Sequence, residues 1–346
     1  MGKKVTIQDI ADALGVSRNT VSKAINNSDG LADATREKIL QKAVELGYKQ
    51  FSYARFLAEE QEKKTDSPAF RGEIALLTAR FLDYSHFSAT MLDKFQQELA
   101  QLGYTLNTHR VTAENLSRKT LPLTLRPERV SGIVCIEMFD YEYDDMITKL
   151  GIPVLFIDGP AKVGGRALEA DQLYMDNFGE ISQLMDKLLA KGYTKFGFIG
   201  DKLNCQSFFE RYVAFFSALA AVNLTADPNF LIFKNLEADI LARLEKLPEL
   251  PEVFICANDF VAWDAIRALR KVGKRVPEDV LISGFDDSSE SRISQPPITT
   301  VHIHTQIMAF SAAQLLISRI EQPSLNYRTV HTETELIWRE STGGIQ

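Results

Sequence analysis

Residues 16–26 read VSRNTVSKAIN, and the organisation of the first sixty residues turns on that stretch. Val21, Ala24 and Ile25 recur at helical spacing, whereas Arg18, Asn19, Thr20, Ser22 and Lys23 leave a dense polar face. A solvated surface helix tolerates such a face, so the neighbouring segments decide its meaning. Upstream, TIQDIADALG predicts a helix opened by Thr6, with Asp9 placed for a capping box. Ile7, Ile10, Ala11 and Leu14 share one face of it, and Gly15 ends it. Ser17 then caps the second helix, and Asn26, Asn27, Ser28, Asp29 and Gly30 form a turn cluster. In ATREKILQKAVELGY, Ile39, Leu40, Ala43, Val44 and Leu46 predict a third helix, with Gly47 as its left-handed stop. Two short helices joined at a glycine and braced by a third predict a helix-turn-helix, whose second helix enters the major groove of DNA. Arg18 and Asn19 are then expected to read bases, since Arg pairs with guanine and Asn with adenine. Thr6, Ser17, Thr20, Ser22 and Lys23 are expected on the DNA backbone, and Asn26 and Tyr48 complete the DNA-binding set.

Charge supports this division. The whole chain of 346 residues carries a formal −7, yet residues 1–58 hold nine Lys or Arg against six acids, a local +3 that leaves −10 for the rest. A length of 346 residues calls for two or three domains, and 45% hydrophobic content suffices to bury their cores. Cys135, Cys205 and Cys256 are widely spaced and lie in or beside apolar runs, which indicates neither a disulfide framework nor a zinc site. The start, MGKKVTIQDI, has no apolar signal-peptide core, and no run approaches the ~20 apolar residues that span a bilayer. A cytoplasmic protein with no membrane partner is expected.

VTIQDIADALGVSRNTVSKAIN and TREKILQKAVELGY closely resemble the DNA-binding headpiece of the LacI/GalR family of bacterial transcription regulators. That resemblance implies a hinge helix after the headpiece which folds on operator DNA and wedges a Leu into the minor groove. YARFLAEEQ (53–61) takes this place, with Ala54 and Leu57 as DNA contacts and Leu57 as the wedge. Inserting it would unstack a base step and kink the duplex. Lys49-Gln50-Phe51 stands where the family usually has Pro-Asn after the Tyr, and Phe51, Tyr53 and Phe56 are read either as a second wedge or as hinge packing. QEKKTDSPAFR (61–71) is polar, aperiodic and interrupted by Pro68, as a linker is.

Beyond Gly72, β-rich runs such as EIALLTA, GIVCIEM, PVLFID, KFGFIG and VLISGFD alternate with helical stretches. Repeated βα units in two series predict two doubly wound, parallel-sheet lobes. Ligands of such folds bind beyond the carboxyl ends of the strands. FIDG, CAND and GFDD put Asp158, Asn258, Asp259, Asp286 and Asp287 there, and SFFERYVAFF adds Arg211. Acids, an amide and a guanidinium suit a polyhydroxylated ligand, because each hydroxyl both donates and accepts. Phe81, Tyr84 and Phe87 are placed to cover its apolar faces. For Asp176, Asp259 and Asp287 a purely local role in caps and turns competes with that reading.

NDFVAW, LRKVGKRVPEDVLISGFDD and PPITTV also resemble the family's sensor, which implies a periplasmic-binding-protein-like fold. By that resemblance Asp158, Arg211, Asn258 and Asp286 are effector ligands, and Trp263 lies on a helix used for dimerisation, where a large side chain suits an anchor. Trp263-Asp264 and Ser85-His86-Phe87-Ser88 depart from the family pattern. The expected organisation is an all-α helix-turn-helix headpiece (1–49), a hinge and linker (50–71) and an α/β effector and dimerisation domain (72–346). Its first lobe is expected at 72–165 and 298–325, its second at 166–297 and 326–342.

His302 and His304 in VHIH alternate onto one strand face, but no Cys, Asp or Glu stands at ligand spacing, so no metal or other cofactor is expected. An enzyme fused to a headpiece would need phosphate-binding glycines or a nucleophile with its base, and neither pattern occurs. The expected function is a homodimeric regulator, in the repressor sense, of a metabolic operon, tuned by a sugar or sugar derivative. A sensor that serves as a docking platform for a co-regulatory protein is the alternative.

Overall fold

The first two helices begin where a side chain satisfies their exposed N–H groups. At α1 (Ile7–Leu14) the Thr6 hydroxyl accepts from the Asp9 N–H at 3.3 Å, while the Asp9 carboxylate accepts from the Thr6 N–H at 2.8 Å. Gly15 follows at φ 65, a backbone that only a residue without Cβ takes at no cost. At α2 (Arg18–Ile25) the Ser17 hydroxyl accepts from the Thr20 N–H at 3.0 Å. With α3 (Asp33–Leu46) these helices bury Ile10, Ala11, Val21, Ala24, Ile39, Ala43 and Tyr48 in a small common core. The computed structural model describes residues 5–25, 31–46, 48, 69–79, 86–165 and 167–344. The chain divides into two units, Met1–Ala69 and Phe70–Gln346.

In the second unit β1 (Gly72–Thr78), β2 (Tyr104–Arg110), β3 (Val130–Ile136), β4 (Val154–Ile157), β5 (Asp171–Met175) and β11 (Thr329–Thr332) form one sheet in the order β11-β5-β4-β3-β1-β2. Every neighbouring pair in it is parallel. Its central strands β1, β3 and β4 read as apolar runs because both faces are covered, whereas the edge strands β2 and β11 are polar and partly exposed. Ile74, Leu76, Val134 and Leu155 pack with Met91, Phe95 and Leu99 of α4 (His86–Gln101), while Ala75, Leu77, Ile133 and Phe156 pack with Tyr143 and Ile147 of α6 (Tyr141–Thr148), which follows the short α5 (Ala113–Arg118).

The second lobe opens with α7 (Gly179–Ala190) and is built on a parallel sheet ordered β7-β6-β8-β9, from β6 (Phe196–Ile199), β7 (Leu231–Ile232), β8 (Val253–Cys256) and β9 (Leu281–Ser283). Helices α8 (Gln206–Ala221), α9 (Glu237–Leu244), α10 (Asp259–Lys271) and α11 (Ser289–Ile293) surround it. β10 (Thr300–Ile303) pairs antiparallel with β12 (Thr334–Ile337), its His302 bridges to Asp286, and Thr299 just before it bridges to Ser283 beside that sheet. The chain then returns through α12 (Thr305–Glu321), which packs on α4 and on β3, β4 and β5.

The expected lobe boundaries need correction. β5 lies between β4 and β11, so the first lobe continues through residue 175 rather than ending at 165. It regains the chain at α12, not at 298, and it keeps β11. The sequence hid β5 because it opens on two polar residues, Asp171 and Gln172. The fully buried Asp171 carboxylate is held by Arg319 Nε at 3.0 Å and Nη2 at 2.9 Å, and by the Arg328 backbone N–H at 2.7 Å. Charge-assisted bonds from residues about 150 positions away make an acid tolerable in a core strand, and no local pattern announces them.

Candidate functional site

On the headpiece, α2 turns Arg18, Asn19 and Lys23 outward, leaves Thr20 and Ser22 half-buried and sinks Val21 and Ala24. Thr6 and Ser17 are exposed, but both are engaged as caps, and the Ser17 and Thr20 hydroxyls lie 2.7 Å apart. Tyr48 is only 8% exposed and belongs to the headpiece core, so its ring serves packing before any DNA contact. Asn26, Ala54, Leu57, Phe81, Tyr84 and the side chain of Phe87 lie outside the described residues.

Between the lobes of the second unit lies a cleft of about 640 Å³. Asp158, Arg211, Asn258 and Asp286 all line it, as does Trp263, which was assigned above to a dimer interface. Three of its carboxylates, Glu137, Asp158 and Asp286, directly follow β3 and β4 or close the loop after β9, and have φ of 56, 55 and 112. Non-glycine residues at positive φ are costly and gather at binding sites, where the surrounding fold holds them. Here the fold's grip is visible at Gly284, where a Cβ would lie 2.2 Å from Asp259 Oδ1. That bare approach lets the Asp259 carboxylate accept from the Ser288 N–H at 2.8 Å and from the Thr300 hydroxyl at 2.6 Å, fixing the loop that carries Asp286.

Arg211 is the cleft's buried cation, its side chain 3% exposed. Nε donates to Asn177 Oδ1 at 2.9 Å, Nη1 donates to the Ala257 carbonyl at 2.7 Å and stands 3.6 Å from Asp286, and the guanidinium carbon lies 3.5 Å from the centre of the Phe285 ring. Burial pushes the Asp286 carboxyl up to about 6, with Arg211 and Asn258 pulling it down. Burial likewise raises Asp158, against the N–H of Gly159 and of Ser207, the Cys205 thiol and Arg211. Asn258 caps α10 by accepting from the Val261 N–H at 3.0 Å. The buried Arg211 guanidinium thus faces Glu137, Asp158, Asp286 and several amides, with Asp264 and its partner Arg267 also on the lining and Phe139, Phe208, Phe260 and Trp263 as apolar walls. Such a surface can exchange hydrogen bonds with many hydroxyls while covering the faces of a ring.

Glu137 and Asn235 escaped the sequence reading. Glu137 was detectable, because it follows β3 just as Asp158 follows β4. Asn235 follows a strand of two residues, too short to signal itself. The remaining acids have local duties. Asp176 accepts from the N–H of Phe178 and of Gly179, both at 2.9 Å, ahead of α7. Asp287 takes Arg292 at 2.6 Å, His302 Nδ1 at 2.9 Å and Arg339, and these bonds hold its carboxyl far below the usual range despite burial.

Comparison with known proteins agrees at both ends. Residues 6–50 match the family described as bacterial regulatory proteins, lacI family, and residues 185–342 match the periplasmic binding protein-like domain. The HTH-type transcriptional repressor PurR of Aliivibrio salmonicida is 27% identical over 97% of this chain and 98% of its own. The HTH-type transcriptional regulator CelR of Thermobifida fusca is 28% identical over 98% of each. Among solved structures, a complex of the regulator CelR with cellobiose superposes with a TM-score of 0.67 at 24% identity, covering 98% of this chain and all of that one. The lac repressor dimer bound to operator and the anti-inducer ONPF gives 0.66 at 21% identity, covering 98% and 99%. At these identities the superpositions bear on fold.

Proposed function

We propose that this chain, a LacI-family DNA-binding transcriptional regulator with a periplasmic-binding-protein-like effector domain, acts as a homodimeric repressor of a metabolic operon and senses a non-anionic carbohydrate. The carrying observation is the setting of Arg211 between Asp158 and Asp286 in the cleft. Nε and Nη1 are tied to the protein, and among the described residues Nη2 has no hydrogen-bond partner, so one edge is left to donate to a ligand oxygen. Asp158, Asp286 and Glu137 would accept from hydroxyls. Four acids line the cleft against two guanidiniums, of which Arg267 is already paired with Glu237 and Asp264, and this excess weighs against phosphorylated sugars and uronic acids, whose charge it would repel. The relative solved with cellobiose lends support to a neutral saccharide, without fixing which one. Arg18 and Asn19 would read one half-site, and dimerisation would supply the second.

Thermal melting with a panel of neutral mono- and disaccharides, cellobiose included, and the matching phosphates and uronates tests this reading, since a ligand of the native state alone raises the midpoint. A neutral sugar should raise it and the anionic analogues should not. Gel shifts on an operator recovered by selection from random duplexes should then change with the same sugar. Operator binding that ignores every sugar and needs a second protein would turn the reading toward a docking platform.

A further inference from the structure

The helix that carries Arg211 also carries Glu210, which is not part of the cleft lining and sits in a seam between the lobes. Its Oε2 accepts from Asn177 Nδ2 at 2.8 Å, its Oε1 from Gln206 Nε2 at 3.0 Å, and Oε2 lies 3.6 Å from His331 Nε2. His331 belongs to β11 of the first lobe and Glu210 to α8 of the second. Asn177, in the crossing segment between them, is 1% exposed and accepts from Arg211 Nε through its other amide atom at 2.9 Å. An unbroken chain of polar groups therefore runs from a histidine on one lobe, through Glu210 and Asn177, to the guanidinium in the cleft. Around His331 stand the Tyr174 ring of β5, stacked at 5.3 Å, the Asp176 carboxylate and the Lys162 ammonium, which lies 5.2 Å over the same Tyr174 ring. The seam continues where the Lys162 N–H donates to Gln206 Oε1 at 2.7 Å and the Gln206 N–H donates to the Gly159 carbonyl at 2.8 Å.

We propose that Glu210 and Asn177 are positioning residues that couple lobe arrangement to the effector-binding Arg211, and that the coupling is released when His331 loses its proton. Glu210 is largely buried, and its charge is balanced across the seam by His331 in the cationic form. Neutral imidazole leaves Glu210 with the Asn177 and Gln206 amides and the Lys162 ammonium nearby, and takes away the ionic partner that β11 offers α8 among the described residues. Glu210 raises the affinity of His331 for its proton, Asp176 adds to this, and burial and Lys162 oppose it. Release therefore comes on the alkaline side of an ordinary histidine titration. The proposal rests on the assignment of Arg211 to the effector cleft, but its test needs no effector.

Spin labels on Arg118→Cys in the first lobe and Lys246→Cys in the second report the interlobe distance in the ligand-free full chain. Between about pH 6 and about pH 9 the distance should lengthen in the otherwise native protein and stay fixed in His331→Gln. Imidazole titration by NMR should show the His331 midpoint shifted down in Glu210→Gln, with melting temperatures confirming that both variants fold. A pH-dependent distance that persists in His331→Gln would belong to another buried acid, Asp144, Asp259 or Asp286, and overturn the latch, as would no movement at all. Neither result bears on whether a sugar occupies the cleft.

Discussion

Asp144 is the residue whose burial has no visible compensation. It is fully buried on α6, and neither carboxylate oxygen has a hydrogen-bond partner among the described residues. Burial, with the Asp140 carboxylate adding repulsion, pushes it from 3.8 up to about 8. The unfolded chain releases this proton near 3.8 whereas the folded protein holds it until about 8, so stability falls as pH rises across that window and is flat outside it. Asp144→Asn removes the titration and keeps the shape. Urea unfolding should find variant and parent alike near pH 4, with the variant gaining steadily to about pH 8, where the advantage is of the order of a few kcal/mol. A constant difference across that range would mean that the carboxylate is solvated or paired after all. Glu210 is the instructive contrast, since an acid that is also mostly buried is held below its usual range once His331, Gln206 and Asn177 engage it. Partners, more than depth, decide whether a buried acid costs stability here.

Elements differ in how far local sequence specifies them. α1 and α2 were legible to the residue, because capping by Thr6 and Ser17, the left-handed Gly15 and the helical spacing of Ile10, Ala11, Val21 and Ala24 are all short-range. The loops after β4, β8 and β9 were legible as polar clusters that end apolar runs, but the choice of Asp158, Asn258, Asp286 and the helix-borne Arg211 as effector ligands came from the family resemblance; all four line one cleft. β5 was illegible for the opposite reason, as its acidic first residue is neutralised by arginines on α12 and just before β11. Tyr48 is ambiguous in sequence, because an aromatic at the end of a DNA-binding unit fits either a phosphate or a core, and here its ring packs in the core that α3 shares. The capping logic separates two roles within α2. Ser17→Ala removes the cap and should cost the headpiece about 1 kcal/mol, weakening all duplexes alike. Arg18→Ala leaves the fold intact and should cost ~1–3 kcal/mol, with preference lost at a single base pair. Selection from a random duplex pool followed by binding titrations distinguishes them, and a uniform loss for Arg18→Ala would reassign that side chain to the DNA backbone.

At the scale of the whole molecule, charge separates the two jobs. Residues 1–58 carry +3 and the rest of the chain −10, so net charge favours phosphate contacts by the small reader over contacts by the acidic remainder. The sensor therefore has to influence binding through the reader's arrangement rather than through added contacts, which makes the effect a coupling free energy between two sites. Couplings of this kind amount to ~1–3 kcal/mol, or a factor of about 5 to 150 in operator affinity. Linkage makes the factor reciprocal, because the same cycle of four states can be traversed with either ligand first. Saturating operator duplex should therefore change the affinity of the cleft for its sugar by the factor by which the sugar changes affinity for the operator. Calorimetric titration of sugar into free protein and into the protein–operator complex, set beside operator titrations with and without sugar, measures both factors. Equal factors that differ from one establish the coupling and, by their direction, whether the sugar induces or corepresses. A sugar that binds equally well with and without operator occupies the cleft but carries no signal.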